Sequence, residues 1–148
     1  MNPQTAFPLL LLHASATWYM VGLIWMVQLV HYPLMAHVGT EQFVAYEKQH
    51  TFWTTWVVGP PMLLELATLV WLIRYQQPSV PSWSLWSGAA LLAIIWISTQ
   101  FVQVPCHAKL SQAFDAGTHR WLVNSNWIRT AGWSLRGLLA LVMLRRIR

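Results

Sequence analysis

Six histidines and four carboxylates are the residues of this chain best suited to chemistry, and their spacing groups several of them. Glu47 and His50 stand three positions apart in Glu47-Lys48-Gln49-His50, a spacing that puts a carboxylate and an imidazole on one helical face. Helical bundles use Glu-x-x-His to give a metal two ligands from one helix. His31, His107 and His119 complete a set (His31, Glu47, His50, His107, His119) from which a mononuclear site can be assembled, because imidazole suits iron, copper and zinc. A full di-iron pattern would need a second Glu-x-x-His and further carboxylates, and the chain has only four acidic residues in all. The same histidines can instead serve as general bases, His107 and His50 first among them, with Arg129 stabilising a phenolate or enolate.

Three further charges fall inside long apolar runs: Glu65, Arg129 and Arg136. An ionisable group at membrane depth is costly and is usually paired or functional. Glu65 and Arg136 lie at matching depths in their segments and are expected to pair. Arg129 stands nearer a segment end, beside the polar residues Gln28, Gln103 and His107. With His31, Trp53 and Trp127, Gln28 and Gln103 are the expected contacts of a substrate.

These groups need scaffolding, and composition indicates its kind. Of 148 residues 56% are hydrophobic and only 9% charged, which excludes a conventional soluble globule. No charged residue precedes Glu41 and none lies between Arg74 and Lys109, gaps long enough to cross a bilayer at about 20 residues per helix. The fold expected is all-α: an integral membrane four-helix bundle in one domain, 1–148. Its spans are about 7–31, 53–74, 84–104 and 126–144, with a short interfacial helix over 40–50 capped by Thr40 in the first outer loop. Pro60-Pro61 should disturb the second span. The absence of Lys or Arg before the first apolar run, and its length, argue against a cleaved signal peptide.

Arg74 and Arg145, Arg146 and Arg148 mark the cytoplasmic ends, so both termini are expected inside and the His-rich loops outside. The scattered basic residues fit membrane flanks and exclude nucleic acid as the expected partner. Trp53, Trp56, Trp83, Trp86, Trp121 and Trp127 near segment ends fit an interfacial belt. The single Cys106 allows no internal disulfide.

The second half of the chain carries Ser98-Thr99, Pro105 and Leu110, then Trp121 and Asn126-Trp127-Ile128-Arg129-Thr130, and the first half carries Gly22 and Pro33. In these it resembles the small four-helix membrane proteins related to fungal anthrone oxygenases. The resemblance covers about half of the chain, and it departs at His107, where an asparagine is expected. It implies oxidation of a polycyclic phenolic or anthrone-like compound by dioxygen, with Arg129 and the position of His107 lining the pocket. The function expected is thus an oxygenase-like membrane oxidoreductase acting on an apolar aromatic or quinone-like compound, with a His-ligated metal or haem as candidate cofactor. The alternative is a non-catalytic subunit of a larger membrane complex, or a homo-oligomer, binding partner helices, lipid, pigment or haem.

Overall fold

In the computed structural model, which describes residues 3–146 except position 77, the chain is all-helical and forms four long helices. Helix α1 runs over Pro3–Met26, widens into a π-helical turn at Val27–His31 and continues over Tyr32–Met35. Helix α2 is Thr40–Arg74. Helix α3 repeats the pattern of α1, with Ser82–Ser98, a π-helical turn at Thr99–Gln103 and Val104–Leu110. Helix α4 is Ala116–Arg145.

Both π-helical turns have an identifiable cause. Each ends just before a proline, Pro33 or Pro105, whose ring lacks an N–H and collides with the carbonyl four residues earlier. Widening the turn relieves that collision: the amides of Tyr32 and Val104 reach back five residues, to the carbonyls of Val27 and Thr99. Both helices therefore pass their prolines without breaking, and both deliver polar side chains there. Helix α2 likewise continues through Pro60 and Pro61.

The helices alternate in direction. His13 meets Thr68 and His31 meets His50, so α1 and α2 are antiparallel. Gln28 meets Asn126 while Gly137 abuts Trp18, which sets α4 antiparallel to α1. Gln103 meets Ser125 while Gly88 faces Arg136, which does the same for α3 and α4. Gly132 permits a close α3–α4 crossing, since a Cβ there would sit 2.8 Å from Ile95 Cγ1.

Three layers of apolar residues fill the bundle. Leu10, Leu69, Leu72, Leu85, Leu92 and Met143 pack at the end where α1 begins and α4 finishes. Met20, Ile24, Met62, Ile95 and Trp133 pack in the middle, and Tyr32, Met35, Phe43, Leu110 and Leu122 at the far end. That far layer explains a difference from the expected boundaries. Segments 32–52 and 105–125, which fall between the expected spans, are mostly helical, because Phe43, Leu110 and Leu122 extend the core through them. The stretch 40–50, expected as a separate interfacial helix, is the beginning of α2. Its N-cap is Gly39, without a side-chain cap, so Thr40 does not take that role.

Helix α4 does have a side-chain cap. Asp115 accepts from the Thr118 amide at 2.7 Å and from its hydroxyl at 2.5 Å. These bonds, the hydroxyl first, with help from Lys109, hold the Asp115 carboxyl down at about 2.

Three helical stretches, Phe7–Met35, Thr40–Arg74 and Ser82–Leu110, are long and apolar enough to cross a membrane. The outward faces carry Trp53, Trp56, Trp86 and Phe101, each well exposed. Helix α4, with Arg120, Arg129 and Arg136, falls short of that apolarity but buries the last two arginines against its neighbours.

Candidate functional site

The polar residues form two groups at different levels of the bundle. The first surrounds Glu65, which is fully buried. Arg136 donates to Glu65 Oε1 from Nη2 at 3.0 Å and from Nε at 3.3 Å. Thr17 Oγ1 donates to the same oxygen at 2.8 Å, and Trp133 Nε1 donates to Oε2 at 2.9 Å. Arg136 also gives Nη1 to the Gly88 carbonyl. Both carboxylate oxygens and all three guanidinium nitrogens are satisfied, so this group reads as a buried structural pair.

The second group lies at the far end, where the two π-helical turns bring α1 and α3 against α2 and α4. Its central member is Glu47, whose side chain is 0% exposed. Glu47 Oε1 lies 2.5 Å from His107 Nδ1, which carries the proton when the carboxylate is ionised. His107 Nε2 lies 3.1 Å from the Tyr32 hydroxyl, and Arg129 Nη2 donates to that hydroxyl at 3.0 Å. Arg129 is itself fixed by Asn126 Oδ1, which accepts from both its Nε and Nη2. Asn126 in turn donates to Gln28 Oε1 at 2.8 Å, and Gln28 donates to the Val123 carbonyl at 3.2 Å. A continuous line of hydrogen bonds thus runs from the carboxylate of α2 to the guanidinium of α4.

Beside it, His31 Nε2 and His50 Nδ1 are 3.0 Å apart with their rings stacked at 4.4 Å. Thr54 Oγ1 is 3.1 Å from the same His50 nitrogen. His50 Nε2 has no partner among the described residues. Arg129 Nη1 and Glu47 Oε2, the latter fully buried, are likewise without a partner among the described residues. One ligand atom each from Glu47, His50 and His107 lies within 4.8 Å of the other two.

A cavity of about 460 Å³ adjoins this group. Its polar wall is Tyr32, His50, Gln103, His107 and Arg129, with Thr51, Thr54 and Thr55; its apolar wall is Met20, Leu23, Ile24, Val27, Val58 and Trp133. The size and the mixture of many apolar with few polar groups are those of a small-molecule site.

The expected site residues divide accordingly. His50, His107, Arg129 and Gln103 line the cavity, and Glu47 and His31 stand directly behind two of them. Gln28 is buried one step away and orients Asn126. His119 is not in the cluster: its Nε2 bonds the Tyr32 carbonyl at 2.9 Å. Trp53 and Trp127 are corrected as well, because both are exposed on the outer surface and neither lines the cavity. Tyr32 and Asn126 were not among the expected site residues. Their signal was positional: Tyr32 is four residues beyond Gln28, and Asn126 three before Arg129, each on the polar face already identified.

Comparison of the chain with protein-family models, characterised proteins and solved structures finds no match.

Proposed function

We propose that this chain is an integral membrane protein whose far-end cavity binds an apolar aromatic, phenol- or quinone-like compound, and that it acts on that compound as an oxygenase-like oxidoreductase. The observation that carries the reading is the cavity's polarity: Arg129 and Tyr32 at one end, Met20, Ile24, Val58 and Trp133 at the other. A flat lipophilic molecule with one oxygen function fits that gradient, its oxygen on Arg129 and its rings on the apolar wall. Arg129 Nη1 is available to such an oxygen, and charge on that oxygen strengthens the bond.

Depth supports the membrane reading. Glu65 and Arg136 each lie nine residues before their helix ends at Arg74 and Arg145, about 14 Å at 1.5 Å per residue. That is near the middle of a hydrocarbon layer about 30 Å thick. Glu47, 18 residues further along α2, is roughly 27 Å beyond Glu65 and reaches the opposite headgroup zone. The cavity then descends from the interface into the leaflet, where a lipid-soluble substrate resides. Arg74, Arg145 and Arg146 orient both termini to the cytoplasm and the cavity to the outer side.

The test is binding in lipid nanodiscs of 1-naphthol against its methyl ether, probes that share rings but not the acidic oxygen. Losing a hydrogen bond to a charged group costs about 1.5–3 kcal/mol, so the ether should bind roughly 10- to 150-fold more weakly. Arg129→Gln should remove most of that preference. Equal affinity for phenol and ether in the unaltered protein refutes the proposal.

A further inference from the structure

The least satisfied group in the molecule is Glu47. Among the described residues its Oε2 is the one buried side-chain oxygen or nitrogen without a hydrogen-bond partner. A buried carboxylate oxygen left without a donor is costly, and such an atom calls for an explanation by an unseen ion or other partner. Its immediate surroundings supply one. His107 Nδ1 is 2.5 Å from Glu47 Oε1, and His50, one helical turn along α2, keeps Nε2 free.

We infer that Glu47, His50 and His107 hold one divalent first-row transition-metal ion in the polar wall of the cavity. The inference rests on reading the cavity as a ligand site. Two imidazoles and one carboxylate, with the remaining positions open, form the donor set that binds zinc in hydrolases and iron(II) in oxygenases. Magnesium and calcium prefer sets of oxygens, and here there is one carboxylate. Cys106, though near in sequence, is not in the ligand group.

The hydrogen bonds around the three ligands match what metal-bound imidazoles require. A ligating histidine fixes its ring by giving its other N–H to a neighbour. His50 has His31 Nε2 and Thr54 Oγ1 at its Nδ1, and His107 has the Tyr32 hydroxyl at its Nε2. The ion would take the place of the proton between His107 Nδ1 and Glu47, and the neutral ring would keep that proton by moving it to Nε2. His107 then carries its proton on Nε2 and donates it to Tyr32. The Tyr32 oxygen accepts from His107 and Arg129 together, and its own O–H is freed toward the cavity. The ion's two positive charges exceed the single charge of Glu47, and Arg129 adds another. The cavity end becomes net positive, which is the sign a phenolate needs.

The experiment is an anaerobic Co(II) titration of the full-length protein in detergent after stripping with a chelator, read by visible absorption and metal analysis. One equivalent is expected to saturate. Glu47→Gln keeps an acceptor for His107 and preserves the fold, which helicity by circular dichroism checks, but it should abolish the signal. His50→Ala should do the same, and His31→Ala should weaken binding about 10- to 100-fold through loss of the group that orients His50. Tyr32→Phe should weaken binding as His31→Ala does, through loss of the group that orients His107, whereas His37→Ala and His119→Ala should bind one equivalent as before. Binding that survives Glu47→Gln, or that is lost in His37→Ala, overturns the inference. No organic ligand is present in this titration, and naphthol binding is measured on stripped protein, so each reading can fail alone.

Discussion

Removing Arg136 isolates a full charge in the middle of the bundle. In Arg136→Met, Glu65 loses the two donors at 3.0 and 3.3 Å but keeps Thr17 at 2.8 Å and Trp133 at 2.9 Å. At 3.0 Å and an effective dielectric of 20, the lost attraction is about 5.5 kcal/mol. Breaking a buried pair by deleting one partner typically costs about 3–5 kcal/mol. The two remaining donors, and protonation of the stranded carboxyl, set the expectation at the lower end, about 3 kcal/mol. The double variant Glu65→Leu, Arg136→Met removes both charges; it leaves the Thr17 and Trp133 donors unmet, and the Gly88 carbonyl, a helix carbonyl, loses its bond from Arg136 Nη1 as it also does in the single variant. At about 1 kcal/mol for each unmet donor, it should cost about 2 kcal/mol, less than Arg136→Met alone. The assay is reversible unfolding in mixed micelles by sodium dodecyl sulfate, with helicity as the signal and all four members of the cycle compared. A loss below about 1 kcal/mol for Arg136→Met, or a double variant as costly as the sum of the singles, refutes the reading of this group as a tightly coupled pair.

Two further predictions use local features. Gly132→Ala should destabilise, because overpacking against Ile95 Cγ1 at 2.8 Å costs about 1–3 kcal/mol and outweighs the gain of roughly 1 kcal/mol in helix propensity. Gly22→Ala, with nothing within 4 Å of the new Cβ, should keep that gain and unfold later in the same assay. The Asp115 cap should be sensitive to acid. Its carboxyl is held at about 2, below the ordinary value near 3.9, so its stabilisation is complete above about pH 4 and is lost as pH falls through 2. Amide exchange at Thr118 should therefore accelerate over that window, and Asp115→Asn should lose the pH dependence while keeping a cap.

Much of the scaffold is legible in the charge pattern. The charge-free run to Glu41 and the gap between Arg74 and Lys109 correspond to most of α1 and α3. The matching depths of Glu65 and Arg136 correspond to the contact at 3.0 Å. Helix ends were less legible, because Glu41, Glu47 and Lys48 mark where lipid-compatible sequence stops, whereas α2 continues through them on the packing of Phe43. Trp53 and Trp127 show a different error: an aromatic near a polar cluster in sequence can face lipid as readily as a cavity, and here both face outward.

The central claim is that the cavity between Arg129 and Trp133 receives a lipophilic phenol. Its most direct test is photolabelling in nanodiscs with a photoreactive naphthol, the adducts mapped by peptide mass spectrometry with and without excess 1-naphthol. Labels on Ile24, Thr54, Val104 and Trp133 that excess naphthol removes are predicted. Labels spread over Trp53, Trp56 and Trp86 that excess naphthol leaves unchanged would contradict the account.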